Sequence, residues 1–378
     1  MDRRSFLAAG AVAGLAASAT VSAPIAAKAA AADAPTWPNP RGDEEPALEP
    51  ALPIVDPHHH LWDLRPGVPR FLFPEVLADI GGCGHNIQQT VFIECGSMYR
   101  AEGPRDMRFV GEVEFVNGVA AQSASGLYGP MRVASGIVGR VDFTTGDAVK
   151  PVLEALLRAG DGRLRGTRYN AFNTDIPVMG MERAPLITPK GLLADAKFRE
   201  GAAALAGYSL TLDTGCYHPQ LMDMVAFVSA LPNVTIILNH VGGPLTIGRY
   251  RNNPAETFAE WKKGMTELAK RPNVAVKVGG LGQNWDYPIG HVDPASTSVA
   301  LAKKWKPWFE TTIELFGVQR CMFESNFPVD KTACSYGTIW NTFKRITAGA
   351  STDEKAALYA GVARKYYRLP VQTASATP

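Results

Sequence analysis

Eight short β-branched apolar runs, each followed by a longer helix-like segment, predict an α/β fold of the (β/α)8 TIM-barrel class over residues 52–370. A second observation points the same way: polar residues gather at the carboxyl ends of those runs, where barrels of this class keep their chemistry. A third lies just past the first run. Histidines stand there, where an open doubly wound sheet would carry a Gly-rich phosphate loop. The stretch is longer than the ~250 residues such a barrel typically needs, which leaves room for insertions at its carboxyl-terminal face.

Two segments precede the barrel. Arg3-Arg4-Ser5-Phe6-Leu7 opens an Ala/Gly-rich apolar run that ends in small residues at Ala27-Lys28-Ala29. This pattern predicts a twin-arginine export signal over residues 1–29, hence a periplasmic protein, with an uncleaved anchor as the alternative. Ala- and Gly-rich composition is weakly hydrophobic for a stable span. Residues 30–51 are rich in Pro, Ala, Asp and Glu and show no apolar period, so an extended leader is expected.

The expected strands are residues 54–56, 90–94, 136–141, 165–169, 209–213, 235–239, 275–278 and 321–324. Helices are expected at 147–159, 219–230, 256–270, 304–316 and 336–346, with a closing helix at 353–367 and a short tail at 371–378.

Composition narrows the partners. Cleavage after Ala29 removes three of the 38 Lys and Arg (Arg3, Arg4, Lys28) and one of the 36 Asp and Glu (Asp2), leaving 35 of each. A neutral mature chain gives no reason to expect a nucleic acid or an anionic membrane surface as partner. A small-molecule substrate is expected, and membrane contact only through the export signal. The five cysteines (Cys83, Cys95, Cys216, Cys321, Cys334) form no C-x-x-C pair and are expected to be core thiols rather than a disulfide or zinc framework.

The chemistry starts at Ile54-Val-Asp-Pro-His-His-His-Leu-Trp-Asp63. Strict strand alternation would put Asp56, His58 and His60 on one face and Val55, Pro57, His59 and Leu61 on the other. Two imidazoles beside a carboxylate suit a metal or an anionic substrate. At the other strand ends stand Glu94, then Arg168 and Tyr169, then Asp213 leading to His218, then His240, Lys277 and Glu324-Ser325-Asn326. His240 closes an apolar run and precedes Val241-Gly242-Gly243-Pro244, where glycines let backbone approach a ligand. Glu94 is expected to be either a substrate contact or a rim residue paired with Lys277. His218 is either a site residue or a polar start to the next helix. His85 and His291 fall in loop-like polar surroundings and are expected to be incidental.

The four segments IVDPHHHLWD, LRGTRYN, TIILNHVGGP and RCMFESNFPVD, in this order, resemble the amidohydrolase-related branch of the amidohydrolase superfamily over nearly all of residues 52–369. Within that branch the chain is most similar to lactone hydrolases, with acid decarboxylases as more distant relatives. The resemblance implies that His58, His60, His218 and His240 hold one divalent metal, zinc or manganese. One departure stands out. Many relatives end strand eight with Ser-Asp-x-Pro, whereas this chain has Ser325-Asn326-Phe327-Pro328. Asparagine accepts no proton at neutral pH, so the base passes to Glu324, to Asp330 or to a histidine, with or without the metal, and Asn326 is left to orient a water or donate to an oxyanion.

The implied activity is water attack on a cyclic ester bearing a carboxylate or hydroxyls. Arg168 and Lys277 would hold an anionic group, with Tyr169 and Glu94 beside them. The alternatives are a metal-dependent decarboxylase of the same superfamily and an inactive periplasmic ligand-binding barrel. Residues 96–104 and 170–189, with Tyr99, Arg100, the adjacent Arg105, Asn173, Asp175, Met179 and Met181, are expected to select the substrate.

Overall fold

Eight strands form the barrel in the computed structural model, which describes residues 37, 45–64, 68–173, 188–282 and 296–371. The strands are β1 Pro53–His59, β2 Asn86–Ile93, β3 Arg132–Gly139, β4 Leu164–Arg168, β5 Thr211–Thr214, β6 Ile236–Leu238, β7 Val274–Val278 and β8 Cys321–Phe323. They pair in parallel in the order β1-β2-β3-β4-β5-β6-β7-β8. Each of the eight expected strands is present. Past the end of β8 the circle is drawn together by the His60 N–H donating to the Phe327 carbonyl at 2.8 Å. The Ser325 N–H and hydroxyl donate to Asp56 at 3.0 and 2.5 Å. Residues 1–29, where an export signal is expected, and His291, Asp175, Met179 and Met181 lie outside the described residues.

Helices cover the outside: α1 Phe73–Gly82, α2 Val110–Ala124, α3 Lys150–Gly160, α4 Ala196–Ala203, α5 Leu221–Ser229, α6 Pro254–Ala269, α7 Ser298–Phe316 and α8 Tyr336–Ile346. Helix α6 shows why. Its buried residues Thr257, Trp261, Gly264, Met265 and Leu268 recur at helical spacing, and Pro at its start fixes the first turn. Helix α7 begins six residues before the expected Lys304, because the Thr297 hydroxyl caps it by accepting from the Ala300 N–H. The closing helix expected at 353–367 is instead α9 Thr352–Ala356, a π turn over Ala357–Gly361, and α10 Val362–Tyr367.

This carboxyl-terminal segment plugs the amino-terminal end of the barrel. Ala357, Ala360, Val362, Ala363, Tyr367 and Leu369 pack on the floor residues Val55, Val91, Ile93, Val138, Ile237, Ala275 and Met322. Residues just before β1 are tied to the helix layer, where Glu45 accepts from the Ser298 N–H and Lys344 donates to the carbonyls of Leu48 and Glu49. His85 stands in the connection between α1 and β2, as expected of a loop residue, yet it is buried, with its ring bonded to the Gly337 carbonyl and to Lys344. All five cysteines are free, and four of them are buried.

The alternation expected along β1 fails at one place. Val55 faces the barrel floor, whereas Asp56 and His59 face the helix layer and line one small cavity with Val76 and Tyr336. The β1–β2 register shifts between Asp56 and His59, so an irregularity there re-aims the chain and brings His58 and His60 inward together without Asp56.

Candidate active site

His58 and His60 enter from β1 and face each other, Nε2 to Nε2, at 3.2 Å. Nδ1 of His60 lies 2.8 Å from the Ile93 carbonyl. A carbonyl only accepts, so that nitrogen carries the ring proton and the neutral ring keeps a lone pair on Nε2. His58 is fully buried. Burial, then the charge of Lys277 and the neighbouring His60, His240 and Arg168, hold it well below the ordinary histidine range, so it is neutral.

His240 comes from the turn after β6, and the sequence there is built for a sharp bend. His240 and Val241 adopt φ of 54° and 47°, a conformation that is unusual for non-glycine residues and strained for a β-branched one. Trp261 Nε1 donates to the Val241 carbonyl and holds the bend. Gly243 is required, since a Cβ there would sit 2.2 Å from the Cys216 carbonyl oxygen. Two further glycines after β7 make room: a Cβ on Gly280 would meet Nδ1 of His240 at 2.1 Å, and one on Gly279 would meet the Glu324 backbone at 2.3 Å.

Glu324, at the end of β8, is the hub. Its Oε1 accepts from Nδ1 of His240 at 2.7 Å and from the His240 backbone N–H at 3.2 Å. Its Oε2 lies 2.6 Å from Nδ1 of His58 yet makes no hydrogen bond, although it is fully buried. The two groups are close without a hydrogen bond between them. One ligand atom each from His58, His240 and Glu324 falls within 4.8 Å of the others, the one such group among the described residues. Imidazole nitrogens with a carboxylate held behind them, one carboxylate oxygen left without a partner, fit a divalent ion of the zinc or manganese kind.

Lys277 and Asp213 sit below the histidines, both fully buried, as a 2.7 Å ion pair. Nζ of Lys277 also reaches Nδ1 of His58 at 3.2 Å, and the Tyr367 hydroxyl donates to Asp213 at 2.5 Å. Lys277 therefore stands inside the barrel wall rather than at an open subsite, and its carboxylate partner is Asp213, not Glu94.

Glu94 belongs instead to an arginine cluster at the ends of β2 to β4. Arg168 Nε donates to its carboxylate at 3.0 Å and Arg168 also bonds its carbonyl. Arg140, which ends the third expected run and escaped the sequence reading, lies 3.5 Å from the same carboxylate oxygen and 4.9 Å over the Tyr169 ring. The rule that picked the other strand-end residues would have found it. Glu112 of α2 escaped too, because a helical glutamate gives no signal of burial. Its Oε1 accepts from the N–H groups of Cys95 and Ser97 at 3.0 and 2.8 Å, and burial, then the charge of Glu94, pushes it up to about 8.

The remaining candidates stand apart from this cluster. His218 accepts the Leu245 N–H on Nδ1 at 3.0 Å, so in its neutral form Nε2 carries the proton and is a donor, not a ligand. Its pKa falls to about 4 through burial and then the charge of Arg249. Asp330, in the loop after β8, has both oxygens taken: Asn326 Nδ2 of the same loop donates to one at 2.8 Å and the Gly282 N–H of the loop after β7 to the other at 2.9 Å. Burial raises Asp330 well above the ordinary carboxylate range. Asn326, at φ 54°, is thereby fixed against Asp330.

Known proteins place the chain. It is 32% identical over 331 residues to the uncharacterized protein y4mH of Sinorhizobium fredii, covering 84% of this chain and 99% of that protein. It is 25% identical over 325 residues to an L-fucono-1,5-lactonase of Burkholderia multivorans, covering 84% of this chain and 96% of the lactonase. A crystal structure of an amidohydrolase from Burkholderia multivorans with bound Zn shares the fold at a TM-score of 0.57 and 22% identity, covering 84% of this chain and 99% of that one. The Amidohydrolase family model matches residues 55–369, nearly the whole barrel, and the chain belongs to that family of enzymes.

Proposed function

We propose that this enzyme is a metal-assisted lactonase that opens the cyclic ester of a sugar acid or a carboxylated small molecule. The observation that carries the reading is the buried cluster of His58, His60, His240 and Glu324 at the carboxyl ends of β1, β6 and β8. Similarity to an L-fucono-1,5-lactonase over nearly that protein's whole length supports the choice of bond. His58, His60 and His240 would hold the ion through Nε2, since Nδ1 of His60 and His240 is already engaged and Nδ1 of His58 lies beside Glu324. A divalent ion held there would supply Lewis acidity toward an ester carbonyl and toward water, a contribution that does not depend on the strand-eight aspartate that Asn326 replaces. Glu324 holds His240 from behind and stands beside Nδ1 of His58. Arg168 and Arg140 share one carboxylate, Glu94, and so leave excess positive charge for a carboxylate or ring hydroxyl of the substrate.

The test is a panel of sugar-acid and carboxylated lactones followed by acid release, with carbon dioxide measured in parallel on unsaturated and aromatic acids. Lactone opening that His60→Ala abolishes is expected. Carbon dioxide release without lactone turnover would replace the reading with decarboxylation, and tight binding with no turnover of either class would make the barrel a binder.

A further inference from the structure

Nδ1 of His58 has two neighbours that cannot both use it in the same way. Lys277 Nζ is 3.2 Å away and hydrogen-bonds to it, and an ammonium group only donates, so in that bond Nδ1 is the acceptor. The ring proton then sits on Nε2, where it points at the bare Nε2 of His60, 3.2 Å away. His60 in turn donates from Nδ1 to the Ile93 carbonyl. The line from Lys277 through His58 and His60 to Ile93 is thus satisfied at every atom. A divalent ion asks for the opposite arrangement, with Nε2 of His58 bare and the proton on Nδ1. Glu324 Oε2 stands 2.6 Å from that atom, fully buried and without a hydrogen bond, as the acceptor such a proton would find.

We infer that Lys277 is a positioning residue that holds the His58 proton on Nε2 and so opposes uptake of a divalent ion at that atom, with Glu324 taking Nδ1 when the ion enters. The inference rests on the reading that this site takes an ion. Lys277 is itself held in place from the carboxyl-terminal plug: Asp213 pairs with it at 2.7 Å, the Tyr367 hydroxyl donates to Asp213 at 2.5 Å, and Nζ lies 5.4 Å over the Tyr367 ring. All of these groups are buried, and the ion pair with Asp213 holds the ammonium in its direction toward His58.

The test compares the wild-type enzyme, stripped of metal by chelator, with Lys277→Met and with the double variant Lys277→Met/Asp213→Asn, which leaves no unpaired carboxylate. Two quantities are read without substrate: the 15N shifts of the His58 ring nitrogens and the zinc affinity by chelator competition. In the wild type Nδ1 of His58 is expected at an acceptor shift. In the variants it moves to a protonated shift, and zinc binds about tenfold more tightly, the lower end of effects seen for groups behind a metal ligand. A wild-type His58 already protonated on Nδ1 overturns the inference whatever the variants do. So do variants whose ring shifts stay put, a zinc affinity that is unchanged or weaker, and the absence of zinc binding in every protein. Lack of lactone turnover would end the functional reading while leaving both readouts intact, so the two failures are distinguishable.

Discussion

At the scale of single residues, Glu324 decides whether the histidines can serve a metal. Its Oε1 accepts from Nδ1 of His240, and its Oε2, beside Nδ1 of His58, is the acceptor within reach of a proton there. Glu324→Gln keeps a carbonyl for His240 but turns an amide N–H₂ toward Nδ1 of His58, which then becomes an acceptor and leaves its proton on Nε2. Zinc affinity is expected to fall by about 10- to 100-fold, the usual penalty for losing a carboxylate behind a metal-bound histidine. Chelator competition measures it, and an affinity within threefold of wild type would show that Glu324 does not orient these rings. The role was only partly legible in the sequence. Position at the end of a strand marked Glu324 as a site residue, but nothing in one dimension tells a carboxylate facing substrate from one facing two imidazoles. Asp330 shows the same limit from the other side. Its spacing from Asn326 suggested a replacement base, whereas the fold commits both its oxygens to loop hydrogen bonds.

At the scale of elements, the eight strands were readable because buried parallel strands are short continuous apolar runs with polar ends, and each run holds one. Strand β1 marks where that reading stops. Period-two alternation assigned Asp56 to the face of His58 and His60, but a register shift breaks the period, and Asp56 instead ties β1 to Ser325 and Tyr336. Irregularities of this kind depend on pairing partners distant in sequence, so local pattern cannot supply them. Helix α2 makes a second such link. Its Glu112 reaches back to the turn after β2 and bonds the N–H groups of Cys95 and Ser97, fixing the segment just beyond Glu94. Burial, then Glu94, raises Glu112 from 4.5 to about 8, so the folded protein holds that proton more tightly than the unfolded chain does. The stability this contributes is fully present below the ordinary glutamate value and is lost as pH rises through about 8. Glu112→Gln keeps an acceptor and stays neutral throughout. The melting temperature of the variant should therefore gain on that of the wild type from pH 5 to about pH 8 and level off above it. Parallel melting curves across that range would mean Glu112 is not held protonated.

At the scale of the molecule, one barrel is closed at the bottom by its own carboxyl terminus and does its chemistry at the top, and the two ends meet in the column from Tyr367 through Asp213 to Lys277 and His58. Two residues of the plug separate the tasks. Leu369 is apolar and packs on the floor, where a Cβ on Gly136 would come within 3.0 Å of its Cδ2, so the barrel wall is trimmed to receive it. Tyr367 carries the hydroxyl that reaches Asp213. Leu369→Ala removes buried methyl groups from a packed floor and is expected to cost about 2–5 kcal/mol of stability, read from urea unfolding. Such a loss is a large share of the ~5–15 kcal/mol that holds a typical domain together. The His58 ring shifts should nevertheless stay as in the wild type, because no polar group of the column is touched. Tyr367→Phe keeps the ring and its packing but withdraws one of the donors to Asp213. Its unfolding should shift less than that of Leu369→Ala, while the His58 ring nitrogens move. If Leu369→Ala instead moved those nitrogens as much as Tyr367→Phe, the column would be reporting general loosening of the floor rather than the one hydrogen bond that reaches upward from it.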